Sequence, residues 1–459
     1  MAAEAGAQDR AAGPAVPRPS WVVTLRRLWG QAIRSLGWGV ADQAVSSLTN
    51  FAVSIYVVRT LGATQFGAFS LAYVTYGFAL NASRGLSTDP LMVRCSGTDV
   101  PTWRRAVADC TGAAALVGLA CGAVVLAAAA LLSGTAGAAF LALGLTLPGL
   151  MLQDSWRYSF FALGRGGHAF LNDTIWAVTL LPALVLLRVT GHASVFWFVL
   201  AWGAAAAVAA AVGPVQARVL PRLTGAWDWM SQHRDLGFRY LLEGTSSSAS
   251  IQLRSYGVSF LLSLAALGYV QAVTTLMGPI TILFLGMSLV LLPEAARVLR
   301  RAPHRLPLLC VLVSAGLTAA AFAWGMVLLL AVPRGLGAWL LGSIWHRSYP
   351  LVLPQMLFVM GQAAGGGAGT GLHALGAARR SLRTAAVSAA LYVVFALAGA
   401  AVDGAFGTVA GAAVASWLGA GVSWWQFRAA LRETGPVSAG HRPGPHPKPG
   451  KHRVSKPPG

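Results

Sequence analysis

Two arginines stand where arginine is expensive. Arg84 lies in NASRGLSTDPLMVR (81–94), directly after the apolar run FGAFSLAYVTYGFAL, and Arg254 lies in EGTSSSASIQLRSYG (243–257). On insertion scales a charge inside a bilayer costs about 2.5–3.5 kcal/mol. A guanidinium there needs a carboxylate or an anionic ligand, and its planar fork matches phosphate oxygens. Two polar stripes accompany the arginines. Asp42, Ser46, Asn50 and Ser54 recur every four residues, and Glu243, Ser247, Ser250 and Arg254 recur at steps of four, three and four. Each set therefore shares one helical face. Lipid does not face such stripes cheaply, so they predict a central cavity whose arginines receive a phosphate. The plainer alternatives are serines that glue helices together and an Arg84 paired with Asp42 or Asp154.

Other charged residues read as structural. Asp154 precedes SWRY and Arg157 lies within it, three residues on, which predicts a local ion pair, and Asp173 in FLNDTIW reads as a cap opening the fifth helix. Arg84 sits about ten residues from Arg94, roughly 15 Å along a helix, which reads as mid-membrane. No paired carboxylates, metal cluster or nucleophile constellation is evident, so the chain reads as a non-enzyme without a cofactor. The tail GPHPKPGKH imitates a phosphate loop, but its spacing is wrong and its prolines cannot donate N–H. GQAAGGGAGTG (361–371) predicts close helix packing.

These side chains need a membrane scaffold, and the composition supplies one. Of 459 residues 56% are hydrophobic and 10% charged, with mean hydropathy +0.62. Soluble domains carry about 25% charged residues. Apolar stretches of spanning length recur along the chain, which predicts an all-α polytopic membrane protein. Twelve spans are expected near 38–60, 66–92, 106–132, 136–163, 169–188, 194–217, 238–264, 267–296, 307–332, 348–377, 384–402 and 405–427. Of the 34 basic residues, 28 then fall in inner segments. Four (Arg59, Arg188, Arg334 and Arg347) fall at outer ends, and Arg84 and Arg254 fall within spans. This alternation orients the chain with both termini cytoplasmic. It also accounts for the net charge of +20 without nucleic acid.

The halves echo each other. RTLGATQFGAFS (59–70) parallels AALGYVQAVTTL (265–276), and FFALGRGGHAFLND (160–173) parallels LHALGAARRSLRTA (372–385). Gly62 and Gly268 are 206 apart, and Gly164 and Gly376 are 212 apart. Six helices separate each pair, which preserves orientation and predicts a parallel repeat of two six-helix lobes. The expected division is a disordered or amphipathic lead segment 1–35, a first lobe 36–218, a cytoplasmic linker 219–237, a second lobe 238–430 and a disordered basic tail 431–459.

DQAVSSLTNFAVSIYVVRTLGATQFGAFSLAY (42–73) and SWRYSFFALGRGGHAFLND (155–173) resemble polysaccharide biosynthesis proteins, the Wzx-type oligosaccharide flippases. Their superfamily also holds multidrug extruders and lipid II flippases. The resemblance implies two lobes around a central cavity, often cationic, in the cytoplasmic membrane. It implies movement of a polyprenyl-diphosphate-linked oligosaccharide to the outer leaflet by alternating access. The diphosphate would meet Arg84 and Arg254, and the sugars the Ser/Asn/Gln faces. Membrane lipids, and possible glycan polymerases or glycosyltransferases, are the implied partners. A cation-coupled drug exporter using Asp42 and Glu243, or a lipid II-type flippase, are the alternatives. An outer-face glycan polymerase or ligase is disfavoured, because the loop near 333–347 carries no carboxylate.

Overall fold

The computed structural model describes residues 20–96, 98–330 and 335–434, and nearly all of them are helical. The calls on 1–19 and 435–459 lie outside the described residues. Of the lead segment expected to be disordered or amphipathic, the described part is helical from Ser20 onward.

The helix Ser20–Ser83 contains a break at Gly62, which has φ +75°. Asp42 and Arg84 line one cavity. A straight helix would separate them by roughly 60 Å, so the chain folds back at Gly62 and forms spans 1 and 2. Spans 3 to 6 are Val100–Leu131, Gly134–Ala162, Gly166–Val189 and Val195–Ala217. A short helix, Ala226–Gln232, leads into span 7, Arg234–Leu261. Span 8 is a bent pair, Leu264–Leu276 and Gly278–Arg301, with a 53° bend. Leu306–Leu330 is span 9 and Val352–Ala374 is span 10. Ala378–Thr434 breaks at Asp403 and Gly404 into spans 11 and 12.

Seven of these helices are long and apolar enough to cross a membrane, and the bent pair makes eight. The long helix Ala378–Thr434 counts once in that tally but turns back on itself. Spans 1 and 7 carry the polar stripes that lower their hydropathy, and span 2 is interrupted by Ser, Thr, Tyr, Asn and Arg84. Adding these four gives the expected twelve.

One repeat match holds in atomic detail. Gly164 and Gly376 have φ +72° and +66° and end spans 4 and 10. Gly164 N–H donates to Phe161 O and Arg165 N–H to Phe160 O, each at 2.9 Å. Gly376 N–H donates to His373 O and Ala377 N–H to Leu372 O, each at 3.0 Å. These are the paired bonds of a glycine helix stop. Alanine at either position is expected to cost about 1 kcal/mol, because a Cβ disfavours positive φ; thermal unfolding of the two variants checks this.

The other match is corrected. Gly62 forms a turn, whereas Gly268 lies inside span 8, after the N-cap Ser263. Gly268 instead faces span 2. A Cβ on Gly268 would overlap the Ala63 carbonyl, and a Cβ on Gly67 the Leu264 carbonyl. The lobes thus touch backbone to backbone at the outer end. They touch again at the other end, where a Cβ on Gly85 would lie 2.7 Å from Leu241 N. Between these points Thr75 and Tyr256 hydroxyls are 2.6 Å apart, and Asn81 Nδ2 donates to Ser248 Oγ at 2.8 Å. Arg94 reaches Asp235 at 2.8 Å. Spans 2 and 7 are therefore joined along much of their length. The glycines of 361–371 lie in unbroken helix, with Gly367 against the Cys310 carbonyl and Gly371 against Phe427, as close packing requires.

Candidate functional site

The polar cavity lies within the first lobe. It measures about 420 Å³ and is lined from spans 1, 2, 4, 5 and 6. Span 1 contributes Asp42, Gln43, Ser46 and Asn50; three of the four stripe residues thus face a cavity, without Ser54, and the cavity lies inside one lobe instead of centrally between two. Span 4 presents Gln153, Asp154 and Arg157, spaced so that all three share a face. Tyr73, Tyr76, Trp176 and Trp202 form the aromatic wall, and Trp202 stands edge-on to Tyr76 with centroids 4.9 Å apart.

Arg84 forms a fork with Asp154. Its Nε donates to Oδ2 at 2.9 Å and its Nη2 to Oδ1 at 2.7 Å. The guanidinium also lies over the Tyr158 ring, 4.7 Å from the centroid. Of the two partners weighed for Arg84, Asp154 is the one present. A wide helical turn, Arg84–Thr88, begins at this residue, with Asp89 N–H donating to Arg84 O. Pro90 follows it and cannot donate to the preceding turn. The Ser87 carbonyl accepts from Trp229 Nε1 at 3.2 Å. Extra residues of this kind recur at functional positions in helices.

Arg157 is not the partner of Asp154. It pairs with Asp42, donating from Nε at 2.7 Å and also from Nη2, and its Nε lies 3.4 Å from Asp173 Oδ2. Asp173 is not a helix cap, because span 5 begins at Gly166, two turns earlier. Its Oδ1 accepts from Gln153 Nε2 at 2.8 Å. Gln153 also donates to Asn172 Oδ1 at 3.3 Å, and Asn172 donates to Gln216 Oε1 at 3.0 Å. The three aspartates are at most 5% exposed. Oδ1 of Asp42 is buried without a partner.

Three carboxylates against two guanidiniums leave the cavity formally one charge negative, where a cationic cavity was expected. Among the described residues, no group of three or more His, Cys, Asp or Glu could hold a metal ion.

Depth is also corrected. Asp154 lies eight residues from the end of span 4, and Asp173 seven from the start of span 5. Both are roughly 10–12 Å from the arginine-rich end. Arg84 therefore lies nearer the arginine-rich ends of these helices than their middles.

Arg254 does not join this cavity. It lies seven residues from the outer end of span 7, roughly 10 Å deep. It is 4% exposed, its Nε has no partner, and it packs over the Tyr392 ring, 5.5 Å from the centroid. Span 5, at 24 residues, is roughly 36 Å long. The two arginines thus differ in depth by on the order of 15 Å. One diphosphate cannot grip both in this state. Ser250, one turn from Arg254, is half-buried. The side chains of Glu243 and Ser247 fall outside the described residues. Sequence reasoning missed Asp154, Arg157 and Asp173 as members of one network. The available signal was an unexplained Arg84 that needed a carboxylate, with charged residues standing in apolar helices elsewhere in the same lobe.

No family model matches the chain, and no curated protein does. Solved structures share its fold. A lipid II flippase MurJ in an inward closed conformation is 10% identical, with TM-score 0.64 over 86% of this chain and 90% of its own. An inward-facing multidrug resistance MATE transporter of the MOP superfamily is 15% identical, with TM-score 0.65 over 86% and 99%. A MOP superfamily transporter from Pyrococcus furiosus is 14% identical, with TM-score 0.54 over 87% and 95%. The chain has the fold of these membrane transporters.

Proposed function

We propose that the chain is a flippase of the cytoplasmic membrane that carries a polyprenyl-diphosphate-linked oligosaccharide outward by alternating access. The observation that carries this reading is Arg254. It is buried, its Nε lacks a partner, and its contacts are with the neutral Tyr392 side chain, which it hydrogen-bonds and overlies. No carboxylate is near it in sequence: the closest on its own helix is Glu243, eleven residues away and roughly 16 Å. A buried guanidinium in that position calls for an anion. Arg84 and Arg254 then serve as successive phosphate stations at two depths, not as one clamp. The aromatic and amide wall of the first-lobe cavity suits sugar rings, and the prenyl tail stays in the bilayer. At the inner station the phosphate replaces Asp154 on Arg84. The substrate drives the cycle only through its different affinity for the two states. Enzymes that build and polymerise the glycan are the expected partners.

The test is flipping in proteoliposomes, with an impermeant probe reporting which leaflet holds the headgroup. Arg254→Ala is expected to reduce flipping at least tenfold while the protein stays folded. Normal flipping by this variant would remove the outer station.

A second reading rests on the acid excess and the unpartnered Asp42 Oδ1. A cation, including a proton, would be welcome there, as a cation-coupled drug exporter requires. Export of a cationic dye, with no flipping of the lipid-linked sugar, would favour that reading.

A further inference from the structure

We propose that a groove on the second lobe, between spans 9, 10 and 12, holds one anionic phospholipid from the leaflet at the arginine-rich end. The groove measures about 670 Å³ and is apart from the charged cavity. Span 9 contributes Phe322, span 10 Ala364, and span 12 Trp417, Trp424 and Arg428. The lining is mostly apolar; Ser314, whose hydroxyl accepts from Gly367 N–H, and Thr318 are its uncharged polar side chains, and Arg428 stands near one end.

Three observations select this occupant. The first is length. Trp417 and Arg428 are eleven residues apart on one helix, roughly 16 Å. That is about half of a ~30 Å hydrocarbon core, the depth of one leaflet. The second is rigidity. Trp424 Nε1 donates to Ala364 O at 2.8 Å, and Trp417 Nε1 donates to Leu357 O at 3.1 Å. Both indoles have their single donor engaged with span 10, so they present apolar faces to the groove. The small residues of span 10 leave room beneath them.

The third is charge. Arg428 is exposed and makes no ion pair among the described residues. Arg380, near the same end of the lobe, is engaged by Glu433 and by Gln426 at 2.7 Å. The distribution of basic residues places Arg428 on the cytoplasmic side, where anionic headgroups collect. A mostly apolar slot one leaflet deep, ending in a guanidinium without an ion pair among the described residues, matches an acyl chain below a phosphate. The long prenyl tail of the proposed substrate would overrun it.

The experiment uses the full chain, purified and delipidated in detergent. Phosphatidylglycerol, phosphatidylcholine with the same acyl chains, and a polyprenyl phosphate are added separately. Thermal stability and lipids retained in native mass spectrometry are recorded. Phosphatidylglycerol is expected to raise the melting temperature and stay bound, and phosphatidylcholine to do much less. Arg428→Gln is expected to weaken phosphatidylglycerol binding at least tenfold without changing the lipid-free melting temperature. Ala364→Leu, which fills the floor and leaves Arg428, is expected to reduce binding of both lipids. Equal responses to the two lipids, full binding by Arg428→Gln, or a response to polyprenyl phosphate alone would each overturn the proposal. None of these readouts depends on transport, so the proposal stands or falls apart from the flippase reading.

Discussion

Replacing Arg157 with alanine is expected to loosen the first lobe before the second. Arg157 is the shared cation of Asp42 and Asp173, and its side chain is 15% exposed. Removing it leaves two nearly buried carboxylates facing each other at the cavity wall. Breaking a buried pair from one side costs on the order of 3–5 kcal/mol, a large part of a typical 5–15 kcal/mol stability. Lysine at 157 keeps the charge but not the fork, so it is expected to recover only part of the loss. Arg157→Ala combined with Asp42→Asn and Asp173→Asn removes the stranded charges and is expected to recover more.

The cysteines supply a local readout. Cys110 is buried in the first lobe and Cys310 in the second. With Cys95 and Cys121 replaced by serine, maleimide labelling during heating distinguishes the lobes. In Arg157→Ala, Cys110 is expected to react at a lower temperature than in the parent, with Cys310 little changed. Unchanged labelling of Cys110 would mean that the network does not hold the lobe together.

How much of this was legible depends on the range of each interaction. The twelve spans follow from hydropathy and from arginines recurring at alternate ends, and both are properties of single helices. The stop at Gly164 is equally local: Ala-Leu-Gly followed by arginine describes the same hydrogen-bonded turn as at Gly376. The stripe of Asp42, Ser46 and Asn50 faces a cavity because a period of four fixes one face. The partners of those residues were not legible. Arg84 had several aspartates available, and the choice of Asp154 depends on how span 2 packs against span 4. Arg157 read as the local partner of Asp154, three residues away on the same face, and its choice of Asp42 and Asp173 depends on how spans 1 and 5 pack against span 4. The Leu-Gly match at Gly62 and Gly268 shows the same limit. Two residues identify a motif, but only the position of the N-cap Ser263 tells a turn from a helix interior.

The Arg84–Asp154 pair separates structure from transport. Alanine at either position strands the other charge, and Asp154, at 5% exposure, is the more deeply stranded. Arg84→Ala is therefore expected to be the less stable single variant. In the double variant neither charge remains, and stability is expected to return toward the parent, with a coupling energy of about 0.5–3 kcal/mol. If the pair only braces the helices, flipping returns with it. If Arg84 is the inner phosphate station, the double variant folds but does not flip. Asp154→Asn extends the argument. It frees the guanidinium of its carboxylate and removes one negative charge from the cavity. A phosphate then has nothing to displace, so binding is expected to tighten about tenfold, equivalent to about 1.4 kcal/mol. Tighter binding at the inner station deepens the starting state without favouring the outer one, so turnover is expected to fall as affinity rises. Binding by calorimetry and flipping in proteoliposomes, measured on the same preparations, check both halves. A double variant that flips at the parental rate would leave Arg84 a structural residue, and Arg254 would then carry the phosphate alone.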